Sequence, residues 1–293
     1  LLRYKYNVLS NPFGILYNTS SIAKSFSRIA NKQYYSPEEL VFHDGLYHSM
    51  DHHGAFSGTD QELVLNKINQ AIDHAVAHLQ NSRFAFVSLG TSRIYRYKKT
   101  GEIVGNNHKI PSLQFDAGIL SVEECENDLR SIYHSLKHLS PNSQIIWTVS
   151  PIRHLKDGMI ENQRSKAVLI LAIEKFIRSY TETTYFPAYE IMMDQLRDYR
   201  FYARDMIHPS PLAIDIIWDV FCQTCLEQHE AEHHSSMEKI NKAMEHRFLH
   251  DNKEAVKSFA DAQLRNIDQL AALYPDMDWK KERQYFFQLI EPD

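Results

Sequence analysis

The sequence predicts a three-layer α/β/α sandwich on a parallel sheet, followed by a helical appendage. Three observations predict it. Strand-length apolar runs closed by turn residues, RFAFVSLGTS and QIIWTVSPI, alternate with long amphipathic segments, the pattern of βαβ units. Those runs are continuous, which suits strands buried on both faces of a parallel sheet. Beyond Leu226 the strand signals stop and only helical faces remain.

The elements follow in order. YNVLSNPFG predicts a strand from Tyr6 that runs into a loop at Asn11–Gly14. Thr59 and Glu62 form a capping box for a helix to Gln80, with Val64, Ile68, Ile72, Ala75 and Leu79 on one face. RFAFVSLGTS is the second strand, closed by Gly90. Ser121 and Glu124 make a second capping box, and Val122, Cys125, Leu129, Ile132, Leu136 and Leu139 turn inward from the helix it opens. QIIWTVSPI is the third strand, 162–180 a helix, TTYFPAYEIM contains a fourth strand, and 211–226 is a further helix. In the tail, Met237, Ile240, Met244 and Phe248, then Val256, Phe259, Leu264, Ile267 and Leu270, then Trp279, Phe286, Phe287 and Ile290 mark three helical faces. The predicted division is an α/β domain over 1–226 and a helical extension over 227–293.

Composition narrows the function classes. With 293 residues, 43% of them hydrophobic, the chain can bury one substantial core. Lys plus Arg number 32 against 37 for Asp plus Glu, a net charge of -5, so there is no electrostatic footprint for nucleic acid or an anionic membrane. No apolar run approaches the roughly 18–20 residues of a transmembrane helix. LLRYKYNVLS lacks the layout of an export signal, and the expected localisation is cytoplasmic. Cys125, Cys222 and Cys225 read as reduced core thiols, the last two as a CxxC within an apolar helical pattern.

Three clusters carry candidate chemistry. In FYARDMIHPSP, Asp205 and His208 stand three apart, after the last predicted strand and before a helix opened by proline. Functional residues of parallel α/β sheets collect beyond the carboxyl ends of the strands. There an aspartate can fix the tautomer of a histidine acting as general base. Alternatively, Asp205 caps a loop and His208 is an ordinary surface histidine.

The second cluster, His229, Glu230, Ala231, Glu232 and His233, spells the HExxH zinc string. Its flanks, Gln228, His234, Ser235 and Ser236, are polar, and Glu232 puts a charge at an inner position that is normally uncharged in a zinc helix. A solvated junction is the better account. The third, HDGLYHSMDHHGAFSG, gathers His43, Asp44, His48, Asp51, His52 and His53 without metal-ligand spacing; it reads as a loop beside an active site. The glycines of NPFGILYN and LGTS are strand-end turns whose N–H groups could meet an oxyanion. Neither is a nucleotide-binding motif.

Taken together, NPFGILYN, VSLGTSRIYR, NNHKIP, WTVSPIRH and RDMIHPSP, in this order and spacing over about 6–226, resemble the GSCFA family. That family is placed among the SGNH-type hydrolases, related to the GDSL esterases. The resemblance implies an SGNH hydrolase-like, flavodoxin-like sandwich and a serine nucleophile in a Gly-Ser-Cys-Phe-Ala string. No such string occurs in the 293 residues. The resemblance would place it, with the first strand, upstream of Leu1, making Leu1 and Leu2 the end of the helix that follows the nucleophile.

Carried over residue by residue, the resemblance makes His208 the general base and Asp205 its orienting carboxylate. Gly14 would supply an oxyanion N–H. Ser92 stands where the wider superfamily has an asparagine after Gly-Thr. Asn106, beside His108, is another candidate oxyanion donor, and Asn107 stands where the family commonly has cysteine. The implied function is acyl transfer through an acyl-enzyme, an esterase acting on small acyl esters, including those of carbohydrate, with transfer to a sugar hydroxyl as the same chemistry. No cofactor or metal is implied. The alternatives are a zinc hydrolase built on His229, Glu230 and His233, and a non-catalytic binding module on the same fold.

Overall fold

The computed structural model describes residues 1–226, 230–248, 252–275 and 277–290. In chain order its principal elements are α1 (Thr19–Ala30), β1 (Leu40–His43), β2 (Leu46–Ser49), α2 (Gln61–Leu79), β3 (Phe84–Leu89), β4 (Arg93–Tyr97), β5 (Ile103–Val104) and β6 (Phe115–Ile119). There follow α3 (Val122–Leu139), β7 (Gln144–Val149), α4 (Met159–Ser179), β8 (Thr184–Phe186), α5 (Ala188–Glu190), α6 (Pro211–Cys225), α7 (Glu230–Met244), α8 (Lys253–Leu273) and α9 (Lys280–Ile290). Two compact units emerge, Leu9–Asp219 and Leu1–Val8 with Val220–Asp293, so the division falls inside α6.

The Leu9–Asp219 unit is built on a parallel sheet of order β3-β7-β8, in register Leu89↔Val149 and Thr148↔Phe186. Parallel neighbours need a crossover, and α3 and α4 supply the two. Ile22 and Ala23 of α1, Cys125, Leu129, Ile132 and Leu136 of α3, and Leu169, Ala172, Ile173 and Phe176 of α4 close over Ala85, Val87 and Leu89 of β3 and Ile145, Trp147 and Val149 of β7. Helices thus flank the sheet, as in an α/β/α sandwich. β7, the inner strand, also buries Ile146 on its other side, but β3 lies at the sheet edge and leaves Phe86 40% exposed. Burial on both faces therefore holds for β7 and fails for β3.

Local chemistry sets several element ends. Asn18 caps α1 by accepting the Ser21 N–H at 2.8 Å. The expected box on Ser121 and Glu124 opens α3, whereas α2 is capped by Asp60 on the Leu63 N–H, one residue later than the Thr59–Glu62 pattern suggests. The expected strand from Tyr6 does not form.

The histidine-rich segment is no simple loop. β1 and β2 make an antiparallel hairpin with His43↔Leu46 closing a two-residue turn, and Asp44 and Gly45 both take positive φ, 49° and 75°, as a type I′ hairpin turn requires. A second antiparallel sheet, β5-β4-β6, intervenes between β3 and α3.

In the other unit, α7 buries Met237 and Ile240, α8 buries Ala260, Leu264 and Ile267, and α9 buries Phe286. Phe287, one residue on, is exposed because it points off that stripe. Cys125 is fully buried in the sandwich, Cys222 and Cys225 are half-buried, and none of the three forms a disulfide. Among the described residues no helix is long and apolar enough to cross a membrane.

Candidate active site

The loops leaving the carboxyl ends of the parallel strands converge with the NPFG segment. Tyr17 O accepts the N–H groups of Gly90, 2.9 Å, and Thr91, 3.0 Å, and Asn18 forms a parallel bridge to Thr91. The Tyr17 ring meets the His154 ring edge-on at 5.5 Å. The β3 exit, the β7 exit and the NPFG segment are therefore neighbours. Arg153, also in the β7 exit, donates from Nη2 to the Tyr202 hydroxyl at 2.7 Å and lies 4.6 Å from that ring's centroid. This ties in the segment that carries Asp205 and His208.

That segment is a tight turn. Tyr202 bridges Pro209, and the Ala203 N–H donates to His208 O at 2.8 Å. Met206 adopts φ 61° at its apex. Within it Asp205 Oδ1 accepts the N–H groups of Ile207, 2.9 Å, and His208, 3.0 Å, while Oδ2 stands 2.6 Å from His208 Nδ1. The two main-chain N–H groups, with the imidazole added, hold the Asp205 carboxyl down at about 2. An ionised carboxylate only accepts, so Nδ1 carries a proton, and in the neutral ring it is Nε2 that holds the lone pair. Nε2 meets no hydrogen-bonding group among the described residues, and the His208 side chain is 57% exposed. The pair presents an oriented basic nitrogen outward.

The remaining candidates separate into two groups. Gly14 takes φ 79°, and a Cβ there would lie 2.2 Å from His53 Cβ. Its N–H donates to Asn11 O at 2.7 Å. The amide expected to face an oxyanion is committed to its own turn, and the glycine is required by conformation and close approach. The His53 N–H donates to Phe13 O at 2.9 Å, and Phe13 stacks on His52 at 4.2 Å, so the 49–54 segment packs on the NPFG turn. Asn106 joins this group through its N–H to Met50 O, 3.1 Å, and its side-chain oxygen accepts the His108 N–H at 3.0 Å. The amide end of Asn106 is what it can offer a ligand.

His108 and His52 serve the scaffold. His108 Nε2 lies 2.8 Å from Ser49 O, His52 Nδ1 lies 2.8 Å from Ser49 Oγ, and burial pulls their imidazoles down to about 4 and about 3. Both are neutral at ordinary pH. His48 stacks on His108 at 4.5 Å, and Asp51 holds Lys24 Nζ at 3.0 Å and the Tyr35 hydroxyl at 3.0 Å.

Ser92 lies apart from that group. Its side chain is fully buried, its N–H donates to Ser165 Oγ at 2.8 Å, and its hydroxyl points to Ser165 O at 3.3 Å. Neither group faces a ligand. In the zinc string, His229 lies outside the described residues, and His233 is buried with Nε2 2.8 Å from Tyr4 O.

Sequence reasoning missed Arg153, although it stands in WTVSPIRH, and Lys166. A signal for Lys166 was present. The α4 stripe Leu169, Ala172, Ile173 and Phe176 continues backward at helical spacing to Lys166, Ser165 and Asn162, and polar side chains on a core-facing stripe mark a special environment.

Comparison with known proteins gives two matches. Residues 1–221 match the GSCFA family model, and residues 237–292 match the C-terminal domain of GSCFA domain proteins. No curated relative and no solved structure matches. The first match covers most of the chain, which belongs to the GSCFA family.

Proposed function

We propose that this member of the GSCFA family is an SGNH-type serine hydrolase that cleaves small acyl esters, with His208 as general base and Asp205 as its orienting carboxylate. The observation that carries the proposal is the outward-facing His208 ring, held at Nδ1 by an ionised Asp205 at 2.6 Å. In this reading the nucleophile is the serine of a Gly-Ser-Cys-Phe-Ala string upstream of Leu1.

As the serine hydroxyl attacks the ester carbonyl, Nε2 takes its proton and Asp205 stabilises the imidazolium that forms. Collapse of the tetrahedral intermediate expels the alcohol, which receives that proton, and leaves an acyl-enzyme. Nε2 then deprotonates water for the second half-reaction. Asn106 Nδ2 is the side-chain donor this reading assigns to the oxyanion, in place of the Gly14 amide. A sugar hydroxyl can replace water as acceptor by the same steps.

The test is fluorophosphonate labelling of the full-length protein. A serine-linked adduct that is lost in His208→Ala supports the proposal. Absence of labelling in the wild type sinks it.

A further inference from the structure

One turn of α4 reaches every exit of the parallel sheet. Lys166, 1% exposed, donates from Nζ to Gly90 O at 2.7 Å and to Ser150 O at 2.6 Å. These residues follow Leu89 and Val149, the last register pair of β3 and β7, so the ammonium lies where the two strands part. Ser165 Oγ accepts the Ser92 N–H and lies 2.8 Å from Thr91 Oγ1, fixing the rest of the β3 exit. Asn162 Oδ1 accepts the His154 N–H at 2.9 Å, fixing the β7 exit beyond Ser150. Gln163 Oε1 accepts the hydroxyl of Tyr189 in α5, after β8.

A lysine so placed is unusual. Lysine is almost never fully buried without a charge partner, yet no ion pair holds Lys166 among the described residues. Its partners are two main-chain carbonyls, with the Tyr189 ring centroid 5.6 Å away. An apolar side chain would fill the same volume without the desolvation cost, but it would leave both carbonyls unmet at the point where the strands diverge. What the lysine adds is a fixed relation between the two exit loops.

We propose that Lys166, supported by Asn162 and Ser165, is a positioning residue that holds the β3 and β7 exit loops in the geometry the active site requires. The proposal rests on the hydrolase reading for its consequence in catalysis, and on hydrogen-bond geometry for its consequence in the loops. The β7 exit carries Arg153, which grips Tyr202 beside the Asp205–His208 turn. The β3 exit carries Gly90 and Thr91, which grip Tyr17 of the NPFG segment. Lys166 thereby sets both sides of the site while touching neither.

The experiment compares wild-type full-length protein with Lys166→Met, Ser165→Ala and Asn162→Ala, using hydrogen–deuterium exchange and hydrolysis of 4-nitrophenyl acetate. In Lys166→Met, amide exchange rises about tenfold or more in both 90–92 and 150–154, while β3, β7 and α3 keep their protection. Its kcat falls roughly tenfold or more with KM little changed, as expected when orientation rather than binding is lost. Ser165→Ala loosens only 90–92 and Asn162→Ala only 150–154; they carry the test if Lys166→Met does not fold. Unchanged exchange in both loops overturns the proposal, as does a uniform rise across the sandwich, the mark of a merely structural side chain. If the wild type cleaves no aryl ester but the loops loosen as stated, the hydrolase reading fails and the positioning role stands.

Discussion

Asp205 holds His208 at two points, Oδ2 at 2.6 Å from the ring Nδ1 and Oδ1 at 3.0 Å from the main-chain N–H of the same residue. The second contact fixes the backbone of the turn and the first fixes the ring, so one carboxylate determines both where the imidazole stands and which nitrogen carries the proton. Replacing it with an amide separates these roles. In Asp205→Asn the Oδ1 contacts can survive, but an amide N–H directed at Nδ1 favours the tautomer with the proton on Nε2. The expected outcome is a loss of 4-nitrophenyl acetate hydrolysis of roughly 10³-fold or more with KM little changed. Near-normal kcat would remove Asp205 from the mechanism.

The same contacts give a pH signature. Folding depresses the Asp205 carboxyl to about 2, against about 3.9 in an unfolded chain. The unfolded state therefore binds more protons between these values, and stability rises with pH across that window. The contribution is fully present above the unfolded value and is lost as pH falls through about 2. Carbonyl ¹³C titration of Asp205 should show its midpoint below those of exposed aspartates, and Asp205→Asn should flatten the acid limb of stability relative to wild type.

Lys166 gives the opposite case of a cation disfavoured by the fold. Burial pulls its ammonium from 10.5 down to about 7. Between those values the unfolded state again binds more protons, so wild-type stability climbs from pH 7 toward pH 10.5 relative to Lys166→Met. Urea midpoints measured at several pH values in that window check the sign. A difference that stays flat would mean the ammonium keeps its proton in the fold.

Two glycines with nearly equal φ separate conformational cost from steric cost. Gly14 and Gly45 have φ 79° and 75°, but a Cβ meets His53 Cβ at 2.2 Å at the first and nothing within 4 Å at the second. Gly45→Ala should cost about 1–2 kcal/mol, the price of a left-handed alanine. Gly14→Ala should cost more, by a further ~1–3 kcal/mol, because the clash adds to the strain. Chemical denaturation of the two variants measures the difference.

Much of this fold was legible because its signals are local. The apolar runs at 84–89 and 144–149 and the core stripes of α2 and α3 are patterns of residue type, and residue type decides burial along 145–147 and on the inner face of 84–89, though not at Phe86, which the edge position of β3 leaves exposed. β4, β5 and β6 carry no such signal, since they are short, half-exposed strands whose pairing is decided by partners far along the chain. The β1–β2 hairpin was within reach. Asp44-Gly45 is a strong turn dipeptide, and its two positive-φ residues close the hairpin between histidine-bearing strands that lack a clean apolar alternation.

At the candidate site the Asp205–His208 pair could be read because both residues sit in one turn, three apart. The destinations of the Gly14 and Ser92 amides could not, because an N–H looks alike in every sequence and only the fold shows that Asn11 and Ser165 accept these two. Lys166 lay between these cases, visible as a polar residue on a core stripe but silent about what it would reach.

The most direct measurement is kcat for 4-nitrophenyl acetate in full-length wild-type protein and in a folded His208→Ala variant. The account predicts turnover in the wild type and a loss of roughly 10²-fold or more in the variant, with the far-ultraviolet spectrum unchanged. Equal rates in the two proteins, or no turnover in the wild type, would contradict it.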